Sequence, residues 1–345
     1  MFIRKNVLIG LIVLFLGVTI FFGFLIYQGK NQSFKNPLIK QQGRNSSTKQ
    51  IKSYPEDLKG KVYLTLKDKK TQKMGIYAFN LDKDSLEKVY LPTEDCYVLG
   101  GEVSNDRKNM VITSDCGNKG KGSPQIKLLD FYNNEIKKEI TKSGSFDKKE
   151  SAWLPEGKGI IFMAYNEKFD ELNFDPNGWR IYKSSLAGEE EFVGNAAHPF
   201  VSLNGKKMLA LKTEGLYLFD METKKGERVH DFKIKTFVSM QLDLSDEKDL
   251  LAISSPYTRD ITIFKIKSWD NFEMEEINKI ETTDVIVSWP KFYSENEKYI
   301  VAEELSRSGS GKIELVAYNL ETKEKHVIFD LSDYEHGFMW INDWK

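Results

Sequence analysis

The sequence predicts an all-β fold, a six-bladed β-propeller whose C-terminal strand closes the first blade, preceded by one transmembrane helix. Three observations predict it. "SNDRKNMVI" (104–112), "LPEGKGIIF" (154–162), "SLNGKKMLA" (202–210), "SDEKDLLAI" (245–253) and "SENEKYIVA" (294–302) share a turn, a lysine and an apolar strand. Their first residues, Ser104, Leu154, Ser202, Ser245 and Ser294, are spaced 43 to 50 residues apart. A later strand ending in a polar and then a large apolar residue has six copies: "GIYAFNL" (75–81), "QIKLLDF" (125–131), "RIYKSSL" (180–186), "GLYLFDM" (215–221), "DITIFKI" (260–266) and "LVAYNL" (315–320). The first copy lacks its leading strand, and "WINDWK" (340–345) overlays "WLPEGK" (153–158), Trp340 on Trp153, so the far end of the chain supplies the missing piece. Four-stranded repeats of this length stack around an axis, because none can bury both faces alone. Closing the ring also removes two exposed sheet edges.

In chain order, residues 1–6 form a short cytoplasmic N-terminus. The run "VLIGLIVLFLGVTIFFGFLIY" (7–27) carries no charge, and about 20 such residues span a bilayer as a helix. A cleaved signal peptide is the competing reading. Its apolar region is only about 7–15 residues long and ends at small residues, whereas Phe24-Leu25-Ile26-Tyr27 stands at that place. We therefore read an uncleaved signal-anchor. Arg4 and Lys5 favour an N-terminus inside, Lys30, Lys35 and Lys40 oppose it, and the export-like start places the C-terminal domain outside the cytoplasm, at the cell surface or in the periplasm. Residues 28–55, rich in Gln, Asn, Ser and Lys, read as a flexible basic linker. The propeller occupies 56–345.

The whole chain balances 50 Lys and Arg against 51 Asp and Glu, which argues against a nucleic-acid partner. The balance is uneven, with nine Lys and Arg against Glu56 and Asp57 in the first 60 residues. A mildly acidic domain thus sits on a basic leash.

The turn series, with Leu154-Pro155-Glu156-Gly157-Lys158 and Ser202-Leu203-Asn204-Gly205-Lys206 as its fullest copies, resembles the WD40-like (PD40) "S-P-D-G-K" repeats of TolB-like β-propellers over residues 56 to 345. That resemblance implies the six-bladed architecture. The TolB family carries an N-terminal α/β domain where this chain has an apolar span, so the family's envelope role is not carried over. The propeller half of prolyl-oligopeptidase-type peptidases is also similar, without their hydrolase domain.

Cys96 and Cys116 lie symmetrically about the turn centred on Asp106. In a regular hairpin they face one another, making them disulfide candidates in an oxidising compartment. Asn173, Asp175 and Asn177 before Gly178 form a weak outline of a calcium loop. Only one of the three is a carboxylate and Ser184 stands where a bidentate glutamate belongs, so a long loop ending in an Asn-Gly turn is preferred. "GNKGKGSP" (117–124) and "SGSGKI" (308–313) lack phosphate-loop spacing and run into strands.

No catalytic set is legible. His198, His230, His326 and His336 show no metal-ligand spacing and no G-x-S-x-G occurs. His230 and His326 read as surface residues, and His198 and His336, each just before an inner strand at one mouth of the channel, as capping or packing residues in preference to paired metal ligands. Glu303 and Glu304 admit a carboxylate pair of the glycosidase kind. We expect no enzyme and no cofactor, with calcium the one ion allowed for. The reading is a membrane-anchored, extracytoplasmic module that binds or scaffolds an envelope protein. The alternatives are a glycan- or peptidoglycan-binding propeller and a propeller hydrolase acting on glycans. Its candidate contacts lie on the rim of long loops: Tyr165, Phe169, Tyr257, Arg259 and Arg307, aromatics and arginine giving most contact energy per residue.

Overall fold

The computed structural model describes residues 54–92, 96–115, 124–141, 147–165, 178–231, 241–245, 247, 249–255, 259–293, 297–307, 311–335 and 340–344. The expected membrane span 7–27 lies outside them. Among the described residues no helix is long and apolar enough to cross a membrane.

Six four-stranded antiparallel sheets make the ring. Blade one holds β1 (Lys61–Lys67), β2 (Met74–Asn80) and β3 (Ser85–Tyr90), blade two β4 (Tyr97–Val103), β5 (Asn109–Asp115), β6 (Gln125–Asp130) and β7 (Glu135–Glu139). Blade three holds β8 (Asp147–Trp153), β9 (Gly159–Tyr165), β10 (Trp179–Ser185) and β11 (Glu190–Gly194), blade four β12 (Ala197–Val201), β13 (Lys207–Lys212), β14 (Gly215–Asp220) and β15 (Gly226–His230). Blade five holds β16 (Gln241–Leu244), β17 (Leu250–Ser255), β18 (Asp260–Ser268) and β19 (Glu273–Glu281), blade six β20 (Val285–Phe292), β21 (Tyr299–Ser306), β22 (Ile313–Asn319) and β23 (Lys325–Asp330). The last strand, β24 (Trp340–Trp344), pairs antiparallel with β1 and becomes the innermost strand of blade one.

Local chemistry explains both repeats. In the first, Asn109 N–H donates to Ser104 Oγ at 3.0 Å and Lys108 N–H to Asp106 Oδ1 at 3.1 Å, and Ser202 with Asn204 repeats the arrangement. The turn needs one left-handed residue, supplied by Arg107 (φ 58°) in blade two and Gly205 (φ 70°) in blade four. In the second repeat the polar residue closes an Asx-type turn. Asn80, Asp130, Asp220 and Asn319 each accept two backbone N–H bonds from the residues two and three ahead. The apolar residue after it (Leu81, Phe131, Met221 or Leu320) then donates its N–H back to the residue before the second strand.

The core lies between blade faces. Between blades five and six pack Ile261, Ile263, Ile300, Ala302 and Val316, all fully buried. The seam between blades six and one is centred on Trp344, which stacks on Tyr293 at 4.4 Å and donates its indole N–H to Lys59 O at 3.0 Å.

Two alignments need correction. Trp344 lies opposite Val62 as Trp153 lies opposite Ile160, so Trp344, not Trp340, is the counterpart of Trp153. In blade six the turn runs from Tyr293 N–H to Tyr299 O, one residue longer than its relatives, which makes Tyr293 the equivalent of Ser104 in place of Ser294. Tyr54, assigned above to the linker, is buried in the seam and donates its hydroxyl to Leu81 O at 2.9 Å. The compact unit runs from Lys52 to Lys345.

Candidate functional site: the central channel and its rim

Each innermost strand is the edge of its sheet, so a row of its backbone N–H groups faces the channel without a ladder partner. A buried N–H left unpaired is costly. In blades one, two and five the sequence answers with a carboxylate placed one residue before the end of the inner strand. Asp343 of blade one accepts Val103 N–H of blade two at 3.1 Å, Glu102 of blade two accepts Trp153 N–H of blade three at 2.6 Å, and Asp243 of blade five accepts Phe292 N–H of blade six at 2.8 Å. The amides Asn342 and Gln241 form a second rung, accepting Gly101 N–H at 3.0 Å and Trp289 N–H at 2.7 Å. Every one of these bonds runs from a blade to its successor.

Lys291 stands at the carboxylate position in blade six and ion-pairs with Asp243 at 2.7 Å. Burial works against its charge, but Asp243, with Asp343 and Glu102 behind it, holds its pKa above the ordinary lysine value. Towards the other mouth, His198 Nδ1 of blade four meets Glu150 Oε2 of blade three at 2.5 Å.

The inner strands β4, β8, β12 and β20 are bulged. The ladder slips between Val98 and Gly101, Lys149 and Ser151, Ala197 and Phe200, and Ser288 and Lys291. The slips contain Gly100 (φ 105°), Glu150 (φ 43°), His198 (φ 52°) and Trp289 (φ 54°), all left-handed. Bulges re-aim side chains, and three of these four are non-glycine residues held against their backbone preference. All six inner strands contribute to a cavity of about 130 Å³ on the axis.

The rim residues fare unevenly. Tyr165 is not a surface contact: it is 5 % exposed and meets Trp179 edge-on at 5.0 Å within the core of blades three to five. A strand-end aromatic with a cross-strand aromatic partner is packed, and Tyr165 lies directly opposite Trp179. Arg259 and Arg307 are exposed and come together from adjacent blades on one connector. Arg259 Nη1 donates to Thr283 O at 3.2 Å and Arg307 N–H to Asp284 O at 3.0 Å. Phe169 and Tyr257 lie outside the described residues, as do Asn173, Asp175 and Asn177. Cys96 is disulfide-bonded, and Cys116 lies outside the described residues.

His198 lines the channel, from within β12. His326 is not the plain surface residue expected of an outer strand, since its Nε2 is buried without a hydrogen-bond partner. Glu303 and Glu304 are 3 % and 2 % exposed. As neighbours on β21 they face opposite sides of the sheet, and Glu304 binds Lys325 Nζ at 2.8 Å and the Tyr318 hydroxyl. Burial first, and then the Glu304 charge, push the Tyr318 pKa far above the ordinary tyrosine value. This is a paired acid, not half of a converging couple.

Sequence reasoning missed Glu102, Asp243, Lys291 and Asp343. Their signal was present: each immediately precedes the last residue of an inner strand.

No protein-family model matches this sequence, and no curated protein matches it. Solved structures do. A TolB of Agrobacterium tumefaciens is similar with a TM-score of 0.51 and 11% identity, over 79% of this chain and 89% of that one. A chain of a nidogen/laminin complex gives 0.56 at 8% identity, over 81% and 96%. An oligogalacturonate lyase in complex with manganese gives 0.50 at 11% identity, over 73% and 70%. At these identities the likeness shows the fold: this chain forms an all-β six-bladed propeller like that of TolB.

Proposed function

We propose that this chain is a non-catalytic recognition module that receives an envelope protein on its long-loop face and is held to the membrane, outside the cytoplasm, by residues 7–27. The observation that carries the reading is the use made of the channel acids. Glu102, Asp243 and Asp343 hold the backbone of the next blade, so the ring is a rigid frame, and rigid frames present contacts on their loops. On that rim Arg259 and Arg307 stand exposed at one connector, and arginine is enriched at protein interfaces. The uncharged 21-residue stretch supports the anchor.

The test is in-cell crosslinking and affinity recovery with the tagged full-length chain, beside Arg259→Ala/Arg307→Ala and a form with 166–177 shortened to a tight turn, which leaves the buried Tyr165 and Trp179 in place. A specific envelope protein should be captured and lost in the variants. Recovery of lipid and abundant bystanders alone, or capture indifferent to both changes, rejects the reading.

A further inference from the structure

We propose that the axial cavity is a binding site for a small ligand carrying a primary ammonium group, independent of the protein contact on the rim. The cavity holds about 130 Å³, against the roughly 10–15 Å³ that one water requires. It is therefore large enough for a small organic molecule.

Its charge selects the sign of the guest. Glu102, Glu150 and Asp243 line it with Asp343 alongside, and Lys291 is the lysine among the lining residues. Lys291 is already held by Asp243. An anion entering here meets excess negative charge, and a cation is drawn in.

Its acceptors match one donor group. Glu102 uses Oε2 for Trp153 N–H and Glu150 uses Oε2 for His198, which leaves Oε1 of each without a bond. Ser151 lines the same cavity and is 6 % exposed, and its hydroxyl has no hydrogen-bond partner. A buried hydroxyl left unmatched is uncommon in folded proteins. Two carboxylate oxygens and a hydroxyl, all from blades two and three, provide three acceptors, and a primary ammonium offers three donors. Phe200 and Trp289 on other blades supply an aromatic wall for the carbon body, with Trp289 turned there by its left-handed backbone.

The probes are D-glucosamine, D-glucose and D-glucuronate, one ring with a cationic, a neutral or an anionic substituent. Each is titrated calorimetrically into the full-length chain in detergent at neutral pH. Glucosamine should bind about tenfold or more tightly than glucose, the scale of a charge-assisted bond, with glucuronate weakest. Ser151→Ala should weaken glucosamine about threefold and Glu102→Gln about tenfold, the glutamine keeping an acceptor for Trp153 N–H. Ser151→Ala breaks no existing hydrogen bond, so it stays informative should Glu102→Gln fold poorly. Equal affinity for glucose and glucosamine, preference for glucuronate, absence of glucosamine binding up to about 20 mM (weaker than a bare charged contact provides), or indifference to Ser151→Ala overturns the site.

Discussion

Trp344→Ala removes the centre of the ring closure. The side chain is fully buried, stacks on Tyr293 at 4.4 Å with the rings 26° apart, and donates to Lys59 O at 3.0 Å. Truncating a buried tryptophan costs about 3–5 kcal/mol through lost transfer energy and the cavity left behind. Within that, the stacked pair accounts for about 0.5–1.5 kcal/mol and the indole bond, with Lys59 O stranded, for about 1 kcal/mol. The backbone pairing of β24 with β1 is untouched, so the loss should fall near 4 kcal/mol, much of a typical domain's stability of about 5–15 kcal/mol. Trp344→Phe keeps the stack and loses the donor, and should cost about 1–2 kcal/mol. The assay is guanidinium unfolding followed by far-ultraviolet circular dichroism, with Tyr132→Ala (91 % exposed) as reference within about 0.5 kcal/mol of the parent. A Trp344→Ala loss below about 1 kcal/mol, indistinguishable from that surface change, would refute the claim that the terminal strand clasps the ring.

Asp243→Ala should cost about 3–5 kcal/mol in the same assay, since it strands Lys291 and Phe292 N–H together. Asp243→Asn, which keeps one acceptor, should cost markedly less. Asp220 is held at a pKa of about 2, below the ordinary 3.8, by Thr223 N–H first and then by Lys207 and the Thr223 hydroxyl. A depressed carboxyl stabilises the fold above its unfolded pKa and loses that contribution as pH falls through the folded one. Asp220→Asn should therefore be less stable than the parent at pH 7, and the gap should close between pH 4 and pH 2. An unchanged gap across that window in paired melting curves would count against the assignment. Mass spectrometry after alkylation should find neither Cys96 nor Cys116 labelled until a reductant is added, and labelling of the unreduced chain would break the pairing.

The blade count and the clasp were legible because both rest on periodic signals: a turn with its own hydrogen-bonding side chain, and an apolar run after it. Position within the motif was less secure. Blade six carries one extra turn residue between Tyr293 and Tyr299, and repeat spacing alone cannot show on which side of Ser294 it falls. Trp340 and Trp344 are equally good matches to Trp153 by residue type, and only the pairing of Trp344 with Val62 separates them. The bulges escaped because Glu150, His198 and Trp289 adopt left-handed backbone without the glycine that would announce it. The inter-blade acids escaped for another reason. A lone carboxylate near a strand end is ordinary, and its meaning arises only when the neighbouring blade offers an unpaired N–H, a relation between positions about 50 residues apart. Tyr165 was misread because the partner that buries it, Trp179, lies across a loop that hides their cross-strand pairing.

The bond from Trp344 to Lys59 spans 285 residues. At a synthesis rate of about 5–20 residues per second the first blade waits roughly 15–60 s for its innermost strand. Throughout that time β1 has one flank open, and its inward residues, Val62, Leu64 and Leu66, lack the cover that buries them in the finished ring. A nascent chain in this state is a template for any extended segment that reaches it first. A circular fold that is symmetric in space is thus asymmetric in time: its most vulnerable edge is among the first made and the last protected. Cells expressing it faster than it can close should accumulate chains joined through β1.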